Sequence, residues 1–192
     1  MNMANRITMI RIFLVPLIVF FLLVKFEPFS FQLQIAEFQI TYSQVIATLI
    51  FIVSAVTDGI DGYLARKHKM VTNLGKLLDP LADKILITAV LISLVELDKL
   101  DAWIAIVIIS REFAVSGLRM IALLEGHVMA ASKWGKWKTG MQIAAVILLM
   151  LNNFPFAFLH IPFDLILSWI AALITIYSGY DYFVKNKNLV TF

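Results

Sequence analysis

The sequence predicts an all-α integral membrane protein with six transmembrane helices in one bundle. Three observations predict it. Of 192 residues, 61% are hydrophobic and 15% charged, against about 45–50% and about 25% in globular domains. A soluble monomer cannot hide that much apolar surface, so lipid is the solvent for much of it. Six stretches approach the roughly 20 apolar residues that span a bilayer. The basic residues, finally, gather on alternate connections.

The six segments are 7–26, 42–62, 80–97, 102–124, 139–159 and 163–183. In the first, Arg6 and Arg11 precede the apolar run Ile12–Val24, as in a signal peptide. Lys25-Phe26-Glu27-Pro28 follows without the small residues a signal peptidase needs, so an uncleaved span is expected. The second and third have short charge-free cores, Val45–Thr57 and Ile85–Val95. Their charges must lie near or within the cytoplasmic half of the membrane, which is costly unless they are paired, hydrated or metal-bound. The connections are short and no Gly/Ser- or Pro-rich linker divides the chain, so residues 1–192 read as one domain without internal repeats.

With six spans, both termini and the second and fourth connections share one side. Fourteen basic residues fall there: Arg6, Arg11, Arg66, Lys67, Lys69, Lys76, Lys84, Arg111, Arg119, Lys133, Lys136, Lys138, Lys185 and Lys187. Only Lys25 and Lys99 fall on the other. This bias predicts a multi-pass protein of the cell membrane with both termini in the cytoplasm. The chain has no cysteine, which excludes disulfides, thiolate metal sites and cysteine nucleophiles. No nucleic-acid partner is expected.

The chemistry concentrates in Asp58-Gly59-Ile60-Asp61-Gly62-Tyr63-Leu64-Ala65-Arg66 and Gly75-Lys76-Leu77-Leu78-Asp79-Pro80-Leu81-Ala82-Asp83. At about 100° per residue, Asp58 and Asp61 lie about 60° apart on a helix, and Asp79 and Asp83 about 40°. Each pair therefore projects from one face. If the two helices run antiparallel, both pairs meet at the cytoplasmic end. Four carboxylates there would repel and raise one another's pKa. Hard divalent cations offset that repulsion, and oxygen ligands suit Mg²⁺, Mn²⁺ or Ca²⁺ better than zinc. Gly59, Gly62 and Ala65 strip a helical face so that a ligand can approach the backbone, and Arg66 can reach a phosphate as a forked donor. The plainer alternative is that the aspartates flank helix ends and the small residues serve helix packing. It leaves eight residue identities over 26 positions unexplained.

The pattern Asp58-x-x-Asp61-Gly62-x-x-Ala65-Arg66, eight residues, Gly75-x-x-x-Asp79-x-x-x-Asp83 resembles the signature of the CDP-alcohol phosphotransferase family without departure. The resemblance implies a six-helix, usually homodimeric membrane enzyme with a dinuclear metal site opening to the cytoplasm. Such enzymes move a phosphatidyl or similar group from a CDP-linked donor to an alcohol and release CMP. By that likeness Asp58, Asp61, Asp79 and Asp83 hold two ions (Mg²⁺ or Mn²⁺), Asp83 is also the general base, and Gly62, Ala65, Arg66 and Gly75 belong to the CDP-donor pocket.

The acceptor must be read elsewhere. Arg111 and Arg119 lie eight residues apart in the fourth segment, where arginine is costly unless it meets an anion. Lys133, Lys136 and Lys138 follow, with Gly135 and Gly140. Together they form a candidate pocket for a phosphorylated, water-soluble acceptor. Alternatively the lysines are topology markers and Arg111 pairs with Glu112 or Asp83. Arg111-Glu112-x-x-Val115-Ser116-Gly117-Leu118-Arg119 and the opening Asn5-x-x-Thr8-x-x-Arg11 resemble the bacterial branch of the family that uses sn-glycerol 3-phosphate as acceptor and CDP-diacylglycerol as donor. The usual proline before that asparagine is Ala4 here. The likeness adds Asn5 and Thr8 to the donor-binding residues.

No serine–histidine or aspartyl-phosphate arrangement suggests a covalent intermediate, so direct transfer is expected. His68, His127 and His160 are dispersed over expected loops and read as surface residues. Rival readings are a family member with another alcohol acceptor, a divalent-cation transporter and a non-catalytic scaffold.

Overall fold

The computed structural model describes residues 3–24, 32–35, 38–67, 73–124 and 133–186. Six helices account for most of them: α1 Met3–Leu23, α2 Tyr42–Lys67, α3 Asn73–Glu96, α4 Ala102–Leu124, α5 Lys133–Met150 and α6 Phe163–Lys185. Between α1 and α2 lies an unanticipated antiparallel hairpin, β1 Gln32–Ile35 and β2 Phe38–Thr41, which pairs Gln32 with Thr41 and Leu33 with Ile40. Its alternation of apolar and polar residues over short runs is a strand signal.

The helices follow the expected segments, with corrections at their ends. α1 runs from Met3 to Leu23, α2 continues to Lys67, and α3 begins seven residues before Pro80 and runs through it. The largest correction is in the fifth segment, expected over 139–159: α5 stops at Met150, and a 3₁₀ turn occupies Phe156–Leu159. The cause is a helix stop built on asparagine. Asn152 adopts a left-handed φ of 53°, its N–H bonds the Leu149 carbonyl, and the Asn153 N–H reaches back to Leu148. These two bonds close the helix in a Schellman motif, and asparagine tolerates the left-handed backbone. The Asn153 side chain donates to the Ile161 carbonyl at 2.8 Å and accepts from the Asp164 N–H at 3.2 Å, joining the stop to the start of α6. Asp98 ends α3 in the same way, with a φ of 55° and bonds from Asp98 to Val95 and Lys99 to Leu94.

The helices form a closed ring in the order α1, α3, α4, α6, α5, α2, each packed mainly on its two neighbours. α1 packs against both α2 and α3, which among the described residues touch each other only sparsely. The core runs from Ile18 of α1 and Phe51 of α2 through Val90 and Leu94 of α3 to Ile104 of α4 and Val146 of α5.

The outer faces are apolar. Phe13, Leu49, Ile92, Trp103 and Leu173 are exposed, Trp103 to 75%. In α6 the usual pattern is inverted: Ser168, Ala171, Ala172, Thr175, Ser178 and Gly179 are buried, while Leu165, Trp169, Leu173 and Ile176 point outward. Small and hydroxyl side chains inside with large apolar ones outside is how a helix packs when lipid surrounds it. Among the described residues, α6 is the helix long and apolar enough to cross a membrane by length and composition; Thr8–Leu23, Tyr42–Thr57 and Trp137–Met150 are shorter apolar stretches.

Candidate active site

The two aspartate pairs sit on α2 and α3, at the ends joined by residues 68–72. Six Cα–Cα steps from Lys67 to Asn73 span at most about 23 Å, so the C-terminal end of α2 and the N-terminal end of α3 lie on the same side of the bundle. The side chains of Asp58, Asp61, Ala65, Arg66 and Asp79 lie outside the described residues, as do those of Asn5, Lys133 and Lys136 and the surroundings of Gly62 and Gly75; His68 and His127 lie there entirely. Among the described residues, no group of three or more metal-ligating side chains occurs. The donor set of the signature is nonetheless four carboxylates near one end of the bundle, and this fits hard divalent cations.

Asp83 is exposed and lines a cavity of about 350 Å³ that opens among α2, α3, α4 and α5. That volume suits a small polar ligand. Phe51, Leu86 and Ile143 give it apolar walls, while Lys84, Glu112, Lys138, Thr139 and Gln142 supply polar groups. Lys138, buried to 4% exposure, forms an ion pair with Glu112. The same Glu112 oxygen lies 3.4 Å from Arg111. Glu112 thus bridges two of the expected phosphate ligands, and its role was visible in the sequence only as a possible partner of Arg111.

Arg111 and Arg119 lie two turns apart on α4 and both turn toward α6. Arg111 donates to the Ser178 hydroxyl at 2.7 Å, and the Nε of Arg119 donates to the Tyr182 hydroxyl at 3.0 Å. Ser178 and Tyr182 are themselves one turn apart and buried, so α6 presents two hydroxyls to two guanidinium groups. Gly179 makes the approach possible: a Cβ there would lie 3.1 Å from Arg111 Cγ. The sequence reading missed Ser178, Gly179 and Tyr182, because nothing in a linear string pairs α4 with α6.

The basic residues act on one another. Arg119 is within electrostatic reach of Lys84 and Arg111, Arg111 of Lys138, and Asp83 of both Lys84 and Lys138. Four cations therefore surround two carboxylates, Asp83 and Glu112, among the described residues. An excess of positive charge beside a small cavity favours a dianion. Lys84, read from the sequence only as a topology marker, belongs to this cluster. Thr8 is buried in α1 at 1% exposure, Lys138 faces the cavity, and Arg111 and Arg119 lie along the α4–α6 seam beside it. His160 is exposed after the 3₁₀ turn, in keeping with a surface role.

The profile of the CDP-alcohol phosphatidyltransferase family matches residues 1–177. The chain belongs to this family. Similar proteins include the CDP-diacylglycerol–glycerol-3-phosphate 3-phosphatidyltransferase of Bacillus subtilis, 46% identical over 96% of this chain and 95% of its own length. Proteins of the same name from Haemophilus influenzae and Rickettsia felis are 40% and 37% identical over 97% of this chain, and over 94% and 96% of their own lengths. CDP-alcohol phosphatidyltransferases are membrane-embedded and generally depend on a divalent metal.

Proposed function

We propose that this chain transfers the phosphatidyl group of CDP-diacylglycerol to sn-glycerol 3-phosphate, giving phosphatidylglycerophosphate and CMP. The observation that carries this reading is the cavity in which Asp83 shares space with the Glu112–Lys138 pair, beside Lys84, Arg111 and Arg119. Such a site offers one carboxylate to take a proton and a cationic wall to hold a doubly charged acceptor. The name shared by near-full-length relatives supports the same reaction. The apolar exterior and the bias of basic residues support six spans, with both termini in the cytoplasm. The functional unit is proposed to be a homodimer.

In this mechanism the lipid tails of the donor stay in the bilayer while its head group enters from the cytoplasmic end. Asn5, Thr8, Gly62, Ala65, Arg66 and Gly75 receive the cytidine diphosphate. Asp58, Asp61, Asp79 and Asp83 would hold two divalent cations, magnesium or manganese. Such a pair, when bound, neutralises pyrophosphate charge and stabilises the departing oxygen. Asp83 takes the proton of the glycerol 1-hydroxyl, whose oxygen bonds to the lipid-side phosphorus as the bond from that phosphorus to CMP breaks. Arg111, Arg119, Lys133, Lys136 and Lys138 hold the acceptor phosphate, and Arg66 offsets charge on departing CMP.

The test is CMP release by purified protein given CDP-diacylglycerol, Mg²⁺ and a panel of alcohols. Release with sn-glycerol 3-phosphate is expected. Release only with serine or inositol phosphate would reassign the acceptor. Metal flux into vesicles without any CMP release would replace the enzyme reading with a transporter.

A further inference from the structure

Gln142, a polar residue of the cavity wall, has no task in the mechanism above. Gln142 lies one helical turn after Lys138 on α5 and lines the same cavity. It is 4% exposed, and its side-chain nitrogen is buried without a hydrogen-bond partner. Glutamine inside a membrane helix normally bonds across to a neighbouring helix; this amide nitrogen does not. A buried donor left unmatched destabilises the fold, which leaves a bound ligand as the partner that offsets the cost.

We infer that Gln142 is a specificity-determining residue that reads the 2-hydroxyl of a three-carbon polyol phosphate acceptor. The inference rests on the acceptor reading proposed above. Such an acceptor brings three polar parts into the cavity. Its phosphate is matched by the cations, and the attacking hydroxyl by Asp83. The remaining hydroxyl, shut away from water, needs a group that can donate or accept, and a carboxamide does both. Lys138 and Gln142 share a face of α5, so a ligand whose phosphate meets the lysine carries its next polar group one turn deeper, toward the amide. A site built to bond a hydroxyl discriminates strongly against the analogue lacking it, because its own polar group is then stranded.

The experiment compares sn-glycerol 3-phosphate with 3-hydroxypropyl phosphate, which lacks the 2-hydroxyl, in purified wild-type protein and in Gln142→Met. Wild type is expected to favour sn-glycerol 3-phosphate in kcat/KM by on the order of 100-fold. Gln142→Met is expected to shrink that preference to within about threefold, through loss on the natural acceptor, with the KM for CDP-diacylglycerol unchanged. Should Gln142→Met not fold, Gln142→Asn keeps the amide but withdraws it by one methylene, and the preference should drop at least tenfold. Equal loss on both acceptors, or an unchanged ratio, overturns the role of Gln142. A wild-type protein that uses neither acceptor but turns over another alcohol overturns the acceptor reading itself, and the inference with it.

Discussion

Tyr182 holds Arg119 in two ways at once: its hydroxyl accepts from the Arg119 Nε at 3.0 Å, and its ring centroid lies 5.2 Å from the guanidinium carbon. Edge and face of one side chain thereby fix the orientation of one cation. Among the described residues, the terminal nitrogens of Arg119 have no other partner. They are the groups a phosphate needs.

Tyr182→Phe keeps the ring and deletes the hydroxyl. A hydrogen bond to a charged group contributes about 1.5–3 kcal/mol, part of which the retained ring preserves. The KM for glycerol 3-phosphate should rise roughly tenfold, with the donor KM unchanged. Acceptor titrations at fixed CDP-diacylglycerol measure both, and an unaltered acceptor KM would remove Arg119 from the pocket.

Asp83 is exposed at the mouth of the cavity and supports little packing. Asp83→Asn should lower kcat by at least 10²-fold, the usual worth of a positioned base, while the detergent-solubilised protein keeps its Tm within a few degrees. Retained turnover would assign proton removal elsewhere.

Glu112 stands between Arg111 and Lys138. Removing one partner of a buried pair destabilises by about 3–5 kcal/mol, because the other charge is stranded. Glu112→Gln should therefore lower stability markedly. Glu112→Gln combined with Lys138→Met should recover most of it, yet leave acceptor binding impaired. Thermal unfolding of both variants, read beside acceptor KM, separates the structural role of the pair from its binding role.

Gly179→Ala places a methyl group 3.1 Å from Arg111 Cγ. Overpacking of this kind costs about 1–3 kcal/mol, and here it also pushes Arg111 off Ser178. Combined with Ser178→Ala, the loss should be less than additive, since both changes break one contact. Strict additivity in unfolding measurements would show that Gly179 does not act through Arg111.

Lys99, in the turn between α3 and α4, donates to the Met150 carbonyl at 3.5 Å, at the C-terminal end of α5. Burial holds its pKa down to about 8, partly offset by attraction to Asp164. The unfolded chain, with the ordinary value of 10.5, binds more protons between those limits, so stability should rise as pH goes from 8 to 10.5. Below about pH 8 the lysine is charged in both states and contributes no slope. Lys99→Met should abolish this part of the pH dependence of Tm.

Much of the architecture could be read along the chain because lipid leaves few options for a backbone. A long apolar segment satisfies its backbone hydrogen bonds most simply within itself, as a helix, and α4 begins at Ala102 and ends at Leu124, the bounds its hydropathy implies. Where backbone chirality intervened, hydropathy misled. Phe154 and Phe156–Leu159 are as apolar as any span, yet Asn152 and Asn153 had already ended α5. Periodicity also passed over the hairpin at 32–41, since runs of four residues carry a weak signal against flanking helices.

The candidate site divides along the same line. Its carboxylates and cations, and the chemistry they permit, are fixed by residue types at helical spacing and need no coordinates. Which helix stands beside which is a packing outcome: shape and small-residue complementarity select neighbours with no local trace in the string. Only folding seats α1 between α2 and α3, turns Arg111 and Arg119 onto the hydroxyls of Ser178 and Tyr182, and closes Gln142 into the cavity with Asp83.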